Sequence, residues 1–233
     1  MTGTTPLFAA VELHTTEMYP ERKPRRTPGG AAGTLELIRV LLASGADPDA
    51  RLTRGSLRWG RGHNAGDGAL TEGSTPLMRA ARFGDVAAMR ALLEAGADPA
   101  ATQTDGTTVL MLAAGAGWRT GETILGGTDY GEESDAIEAV TLCLKRGADV
   151  HAADADGLTA LHHAVVRGSG VVRLLVEQGA GRSSARASST TFRRLHLLRD
   201  RLLALRGDDQ PARAGEEPEG APAFAVHEAM KRP

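Results

Sequence analysis

Gly73-Ser74-Thr75-Pro76-Leu77-Met78-Arg79-Ala80-Ala81, followed by Leu92-Leu93-Glu94-Ala95-Gly96-Ala97-Asp98, is the stretch that decides the fold. Thr75 carries a hydroxyl that can cap a helix start. Pro76 suits the first helical turn, where its missing N–H costs nothing. Leu77, Ala80 and Ala81 then recur at helical spacing and form an apolar stripe. The alanines let a neighbouring helix approach to about 8–10 Å. Asp85 is placed to cap a second helix whose apolar face is Val86, Met89, Leu92 and Leu93. Gly96 ends that helix in a left-handed conformation that glycine adopts without steric penalty. The stretch predicts two short rods joined by a tight turn.

Both phrases recur in fixed order. The first returns as Gly3-Thr4-Thr5-Pro6-Leu7, and in looser form as Gly106-Thr107-Thr108-Val109-Leu110 and Gly157-Leu158-Thr159-Ala160-Leu161-His162. The second returns at Leu41–Asp47, Cys143–Asp149 and Leu175–Ala180. Thr75 to Gly96 is 21 residues and Thr159 to Gly179 is 20, while Gly96 to Thr108 and Gly147 to Thr159 are each 12. The uninterrupted unit is therefore about 33 residues. Three other intervals are each longer by about 18 residues, which predicts three long loop insertions.

These residues resemble the ankyrin repeat family, over roughly residues 3–180. The resemblance implies an all-α ankyrin-repeat solenoid of about four helix-turn-helix repeats, at about 3–50, 73–104, 106–153 and 157–180. Val109 and Ala160 stand where the pattern has proline. His162 matches the histidine of the family's Thr-Pro-Leu-His phrase, so its imidazole is expected to bond backbone between neighbouring repeats. The alternative, a metal or catalytic site with His163, suffers because adjacent helical residues point about 100° apart and chelate poorly.

Composition bounds the function. The chain is 41% hydrophobic but only 3% aromatic, so its core is aliphatic. A net charge of −2 lacks the basic excess of a protein that grips a nucleic-acid backbone. Cys143, the lone cysteine, excludes an internal disulfide and is expected as a small apolar filler. No apolar run approaches the ~20 residues of a membrane span, and no signal peptide opens the chain. A soluble, cytoplasmic protein is expected, with export left open should a segment precede Met1.

The insertions are where sequence places added function. The first, roughly 13–33, is Pro-rich and basic. The second, roughly 53–71, holds Arg54, Arg58, Trp59 and Arg61, cations around an indole suited to an anionic or stacking ligand. The third, roughly 115–133, carries Trp118, Arg119 and Tyr130. It has neither the lysine nor the preceding strand of a phosphate-cradling loop. The first and third insertions leave the array two repeats apart on one side, which suggests a shared binding rim.

By resemblance, the concave face also meets the partner, and in the second repeat Arg79, Arg82 and Phe83 are expected on it. The function expected is capture of a protein partner by a monomer, with no cofactor, no metal and no catalytic residue. Nucleic acid and membrane are not expected as partners. The competing reading, an enzyme or small-ligand receptor, would draw on His63, Asp67, Glu72, Glu132 and Glu133. Residues 181–206 are expected as a divergent cap or a shifted reading frame, with Leu195, Leu198, Leu202 and Leu205 on one helix face. Residues 207–233 are expected to be disordered.

Overall fold

In the computed structural model the described residues are 3–17, 30–54, 69–116, 133–165 and 167–180. They form α1 (Pro6–Glu17), α2 (Gly30–Ala43), α3 (Pro76–Arg82), α4 (Val86–Glu94), α5 (Val109–Ala114), α6 (Glu133–Lys145), α7 (Ala160–Ala164) and α8 (Ser169–Glu177). Among the described residues there is no strand, only isolated bridges at Thr102–Thr108 and Ala153–Thr159.

The first helix of each pair starts where the threonine phrase begins, for a physical reason. Thr75 Oγ1 accepts the N–H of Met78 at 3.3 Å, while Met78 Sδ accepts the N–H of Thr75 at 3.4 Å. Thr108 and Met111 repeat the exchange at 3.1 and 3.5 Å. Two orphan donors at each start are thereby satisfied, with methionine standing where a capping box usually has Glu or Gln. His162 takes the same place in the last pair, its Nδ1 accepting the N–H of Thr159 at 3.1 Å. This bond lies within its own repeat, at its own helix start.

Each first helix packs on its own second helix. Odd-numbered helices line up α1–α3–α5–α7, and even-numbered helices line up α2–α4–α6–α8. That is linear stacking, in which each unit meets its neighbours. Leu77, Leu92, Met89, Leu110, Val140, Leu161 and Leu175 lie in one continuous aliphatic core at 2% exposure or less. Each such side chain adds roughly 1.5–3 kcal/mol of apolar burial, which no helix pair gains alone.

Cys143 sits in this core, where burial pushes its thiol up to about 12 against a smaller lowering by a backbone hydrogen bond. The thiolate is the reactive form. A thiol reagent at neutral pH is therefore expected to leave the native chain unmodified and to label it fully once denatured. Rapid labelling of the folded chain would contradict the packing.

The first insertion is narrower than the sequence implied. Helix α1 continues through residues 13–17 because His14 and Thr15 are buried, and α2 already begins at Gly30. The expected cap or tail beyond residue 180 lies outside the described residues.

Candidate functional site

Between consecutive helix pairs the chain runs out into a hairpin. At the tips stand Glu72, Asp105 and Asp156, each one residue before the glycine of the threonine phrase, and all three are exposed. Main-chain bonds pin two of these tips to the next one. The Glu72 carbonyl accepts the N–H of Thr104 at 3.2 Å, and the Asp105 carbonyl accepts the N–H of Ala155 at 2.8 Å. The glycines make this approach feasible. Gly73 and Gly106 have φ of +87° and +81°, and a Cβ on either would press on the backbone of the next hairpin, at Thr104 or Asp154. The Arg51 guanidinium adds a further tie by donating to the Thr102 carbonyl at 2.7 Å.

The first helices contribute little surface beside these tips. Every residue of α3, α5 and α7 is buried. Arg79, Arg82 and Phe83 are thus inside the stack and not on a concave face, which corrects their expected placement. The cause is register. Arg79 lies four residues after Thr75, as Leu112 does after Thr108, and that position faces the preceding repeat. The Arg79 guanidinium lies 4.0 Å from the centroid of the Phe83 ring, and the Arg82 guanidinium 5.7 Å. A stacked guanidinium can be buried because its flat face is weakly hydrated. Arg79 also approaches Glu12 of α1 at 3.9 Å.

Of the other residues expected to meet a partner, Arg54 is exposed at the edge of the first hairpin. Arg58, Trp59, Arg61, Trp118, Arg119 and Tyr130 lie outside the described residues, as do His63, Asp67 and Glu132. Glu133 opens α6. Its carboxylate accepts the N–H of Gly170 at 2.6 Å and so caps α8, where Gly168 supplies no side chain of its own.

Among the described residues two His–Asp pairs are found, one buried and one partly buried, and both shape the turns and helix starts around them. His14 Nδ1 bonds Asp85 Oδ2, while Asp85 Oδ1 accepts the N–H of Ala88 at 3.0 Å and caps α4. His163 Nε2 meets Asp154 Oδ2 at 3.3 Å. Asp154 Oδ1 also accepts the N–H groups of Leu158 and Asp156 at 2.8 and 3.0 Å. Burial pushes the Asp154 carboxyl upward, but the His163 bond and those N–H groups outweigh it and hold the carboxyl below its ordinary value. A depressed carboxyl stabilises the fold above its unfolded-chain value, and that stability drains away as pH falls toward the folded value. Acid unfolding is therefore expected to steepen below the ordinary carboxylate range, and Asp154→Asn to flatten that limb. An unchanged acid limb in the variant would count against the pairing.

Among the described residues no group of three His, Cys, Asp or Glu side chains is arranged to hold a metal ion. No helix among them is long and apolar enough to cross a membrane.

A family model described as ankyrin repeats (3 copies) matches residues 30–125, and one described as ankyrin repeats (many copies) matches residues 130–179. The chain belongs to the ankyrin repeat family. Helix α1, ahead of the first match, completes the first pair of the stack. Ankyrin repeats are generally protein–protein interaction modules and typically act as scaffolds without catalysis. No curated protein matches the chain.

Proposed function

We propose that this protein is an interaction scaffold that captures a protein partner along its row of hairpin tips, assisted by the loop insertions. The observation that carries the reading is the contrast within each repeat. The middle first helices are buried, while the tips at Glu72, Asp105 and Asp156 are exposed and rigidly spaced. A partner approaching this side meets the tips first. Their charge favours a basic partner surface and disfavours a nucleic-acid phosphate backbone. The repeat array is assigned to residues 3–180, followed by a divergent segment over 181–206 and a tail over 207–233.

The test is a two-site charge reversal, Glu72→Lys with Asp156→Lys. Asp105 is spared because its Oδ1 accepts the N–H of Thr107 at 2.9 Å and shapes its own turn. Partner capture is expected to weaken by roughly tenfold or more, with unchanged helicity. Wild-type capture should also weaken as salt rises. A variant that captures its partner as well as wild type would move the binding surface off the tips. A second variant lacking residues 119–132 measures the share of the third insertion; capture that survives this deletion removes that loop from the site.

A further inference from the structure

The family match ends at residue 179, but the repeat register continues past it. Gly96 to Thr108 and Gly147 to Thr159 are each 12 residues, and Gly179 to Thr191 is 12 again. Thr191 therefore stands where a further first helix is due to start. The positions one and four residues after such a threonine are covered wherever a preceding repeat is described: Pro6 and Ala9 of α1 are exposed, while Pro76 and Arg79 of α3 are buried. After Thr191 these positions hold Phe192 and Leu195, both apolar. Leu198, Leu202 and Leu205 continue that side at helical spacing, and Gly207 follows as a stop. The glycine phrase that ends a second helix does not return afterwards, so the register holds one more helix and not a pair.

The burial of α7 calls for such a neighbour. Helix α3 packs on α1, α4 and α5, and α5 packs on α3, α6 and α7. Each lies between two first helices, and every residue of each is buried. Helix α1 has a first helix on one side only, and it leaves Pro6 and Ala9 exposed. Among the described residues α7 also has a first helix on one side only, α5, with α8 behind it. Yet Ala160, Leu161, His162, His163, Ala164 and Val165 are all at most 4% exposed, around the full turn of the helix. Val176 of α8 is 42% exposed where Leu93 of α4 is 5% exposed, so the cover reaches α7 and stops short of a second helix. We propose that residues 191–206 supply that cover as a fifth first helix, laid against α7 as α7 is laid against α5, with Phe192 and Leu195 facing it. Such a cap shelters the apolar core at the end of a repeat array. By the same register its hairpin carries Ser188 where the described tips carry Glu72, Asp105 and Asp156. The fifth unit thus lengthens the stack without lengthening the row of carboxylates. This packing stands whether or not a partner binds at the tips.

Cysteine labelling on the full chain tests this, with each modified position located by mass spectrometry. Ala204 lies nine residues after Leu195 and so half a turn round the same helix. In the folded chain Leu195→Cys is expected to react roughly tenfold or more slowly than Ala204→Cys, and the two are expected to react alike after denaturation. In a second experiment Leu195→Glu is expected to speed backbone hydrogen exchange in α7 by roughly tenfold or more, with α3 unchanged. Ala204→Glu is expected to leave both helices as in wild type. Equal labelling at positions 195 and 204 of the folded chain would overturn the proposal. So would exchange in α7 that rises equally with Ala204→Glu. Protection of α7 that survives Leu195→Glu would also overturn it and hand the cover to residues 117–132.

Discussion

An Asp85→Ala protein is expected to lose about 2–4 kcal/mol of unfolding free energy, the scale of a lost helix cap together with a buried hydrogen-bond partner left unsatisfied. Two effects combine at this side chain. One oxygen caps α4 through Ala88, and such a cap contributes about 1 kcal/mol. The other oxygen holds His14 of α1, and both partners are buried, at 0% and 3% exposure. Removing the carboxylate leaves an imidazole without its acceptor between the first and second repeats. Asp85→Asn separates the effects, since an amide can still cap the helix and still offers His14 an oxygen. It is expected to be clearly milder. Urea denaturation followed by circular dichroism measures both. An alanine variant no weaker than an ordinary cap deletion would show that the His14 contact adds nothing.

Leu92→Ala is expected to cost about 2–5 kcal/mol, through lost apolar burial and the cavity left behind. Leu92 is 0% exposed, as are Met89 and Leu77 around it in the core. Its place in the array raises the stakes. A repeat couples only to its neighbours, so loosening the second weakens its junctions with the first and the third at once. Leu175→Ala in α8 empties the equivalent site in the last described repeat, where one described neighbour is affected. The expected signature is a lower midpoint for Leu92→Ala with the wider loss of cooperativity. Equal effects from the two substitutions would argue against neighbour-only coupling.

Much of the fold is legible in local chemistry. Thr75, Thr108 and Thr159 announce helix starts because capping acts within a few residues, and the glycine phrases announce helix ends for the same reason. The apolar spacing of Leu77–Ala81 and Met89–Leu93 gives each helix its buried side. What that spacing does not supply is the neighbour. Arg79 and Arg82 look like surface residues by polarity, yet both are buried beside Phe83, and Arg79 approaches Glu12 of the preceding repeat. The bond between His14 and Asp85 spans 71 positions. The cap that Glu133 gives to Gly170 spans 37. Such pairings arise only once the stack exists. The tip carboxylates were accessible to sequence, since each of Glu72, Asp105 and Asp156 precedes a phrase glycine. Their signal was hidden because acidic residues in turns are commonplace. Arg58, Trp59, Arg61, Trp118, Arg119 and Tyr130 fall outside the described residues.

The ladder of main-chain bonds between successive hairpins turns the array into a ruler. Helix stacking sets its graduations at about 10 Å. An extended peptide advances about 3.3 Å per residue, so a strand-like ligand would match the marks with Lys or Arg at about every third position. A helical ligand, rising 1.5 Å per residue, would need them about every seventh. Adding or losing one repeat would change the number of marks and leave their spacing intact, so binding strength would scale in steps with ligand length.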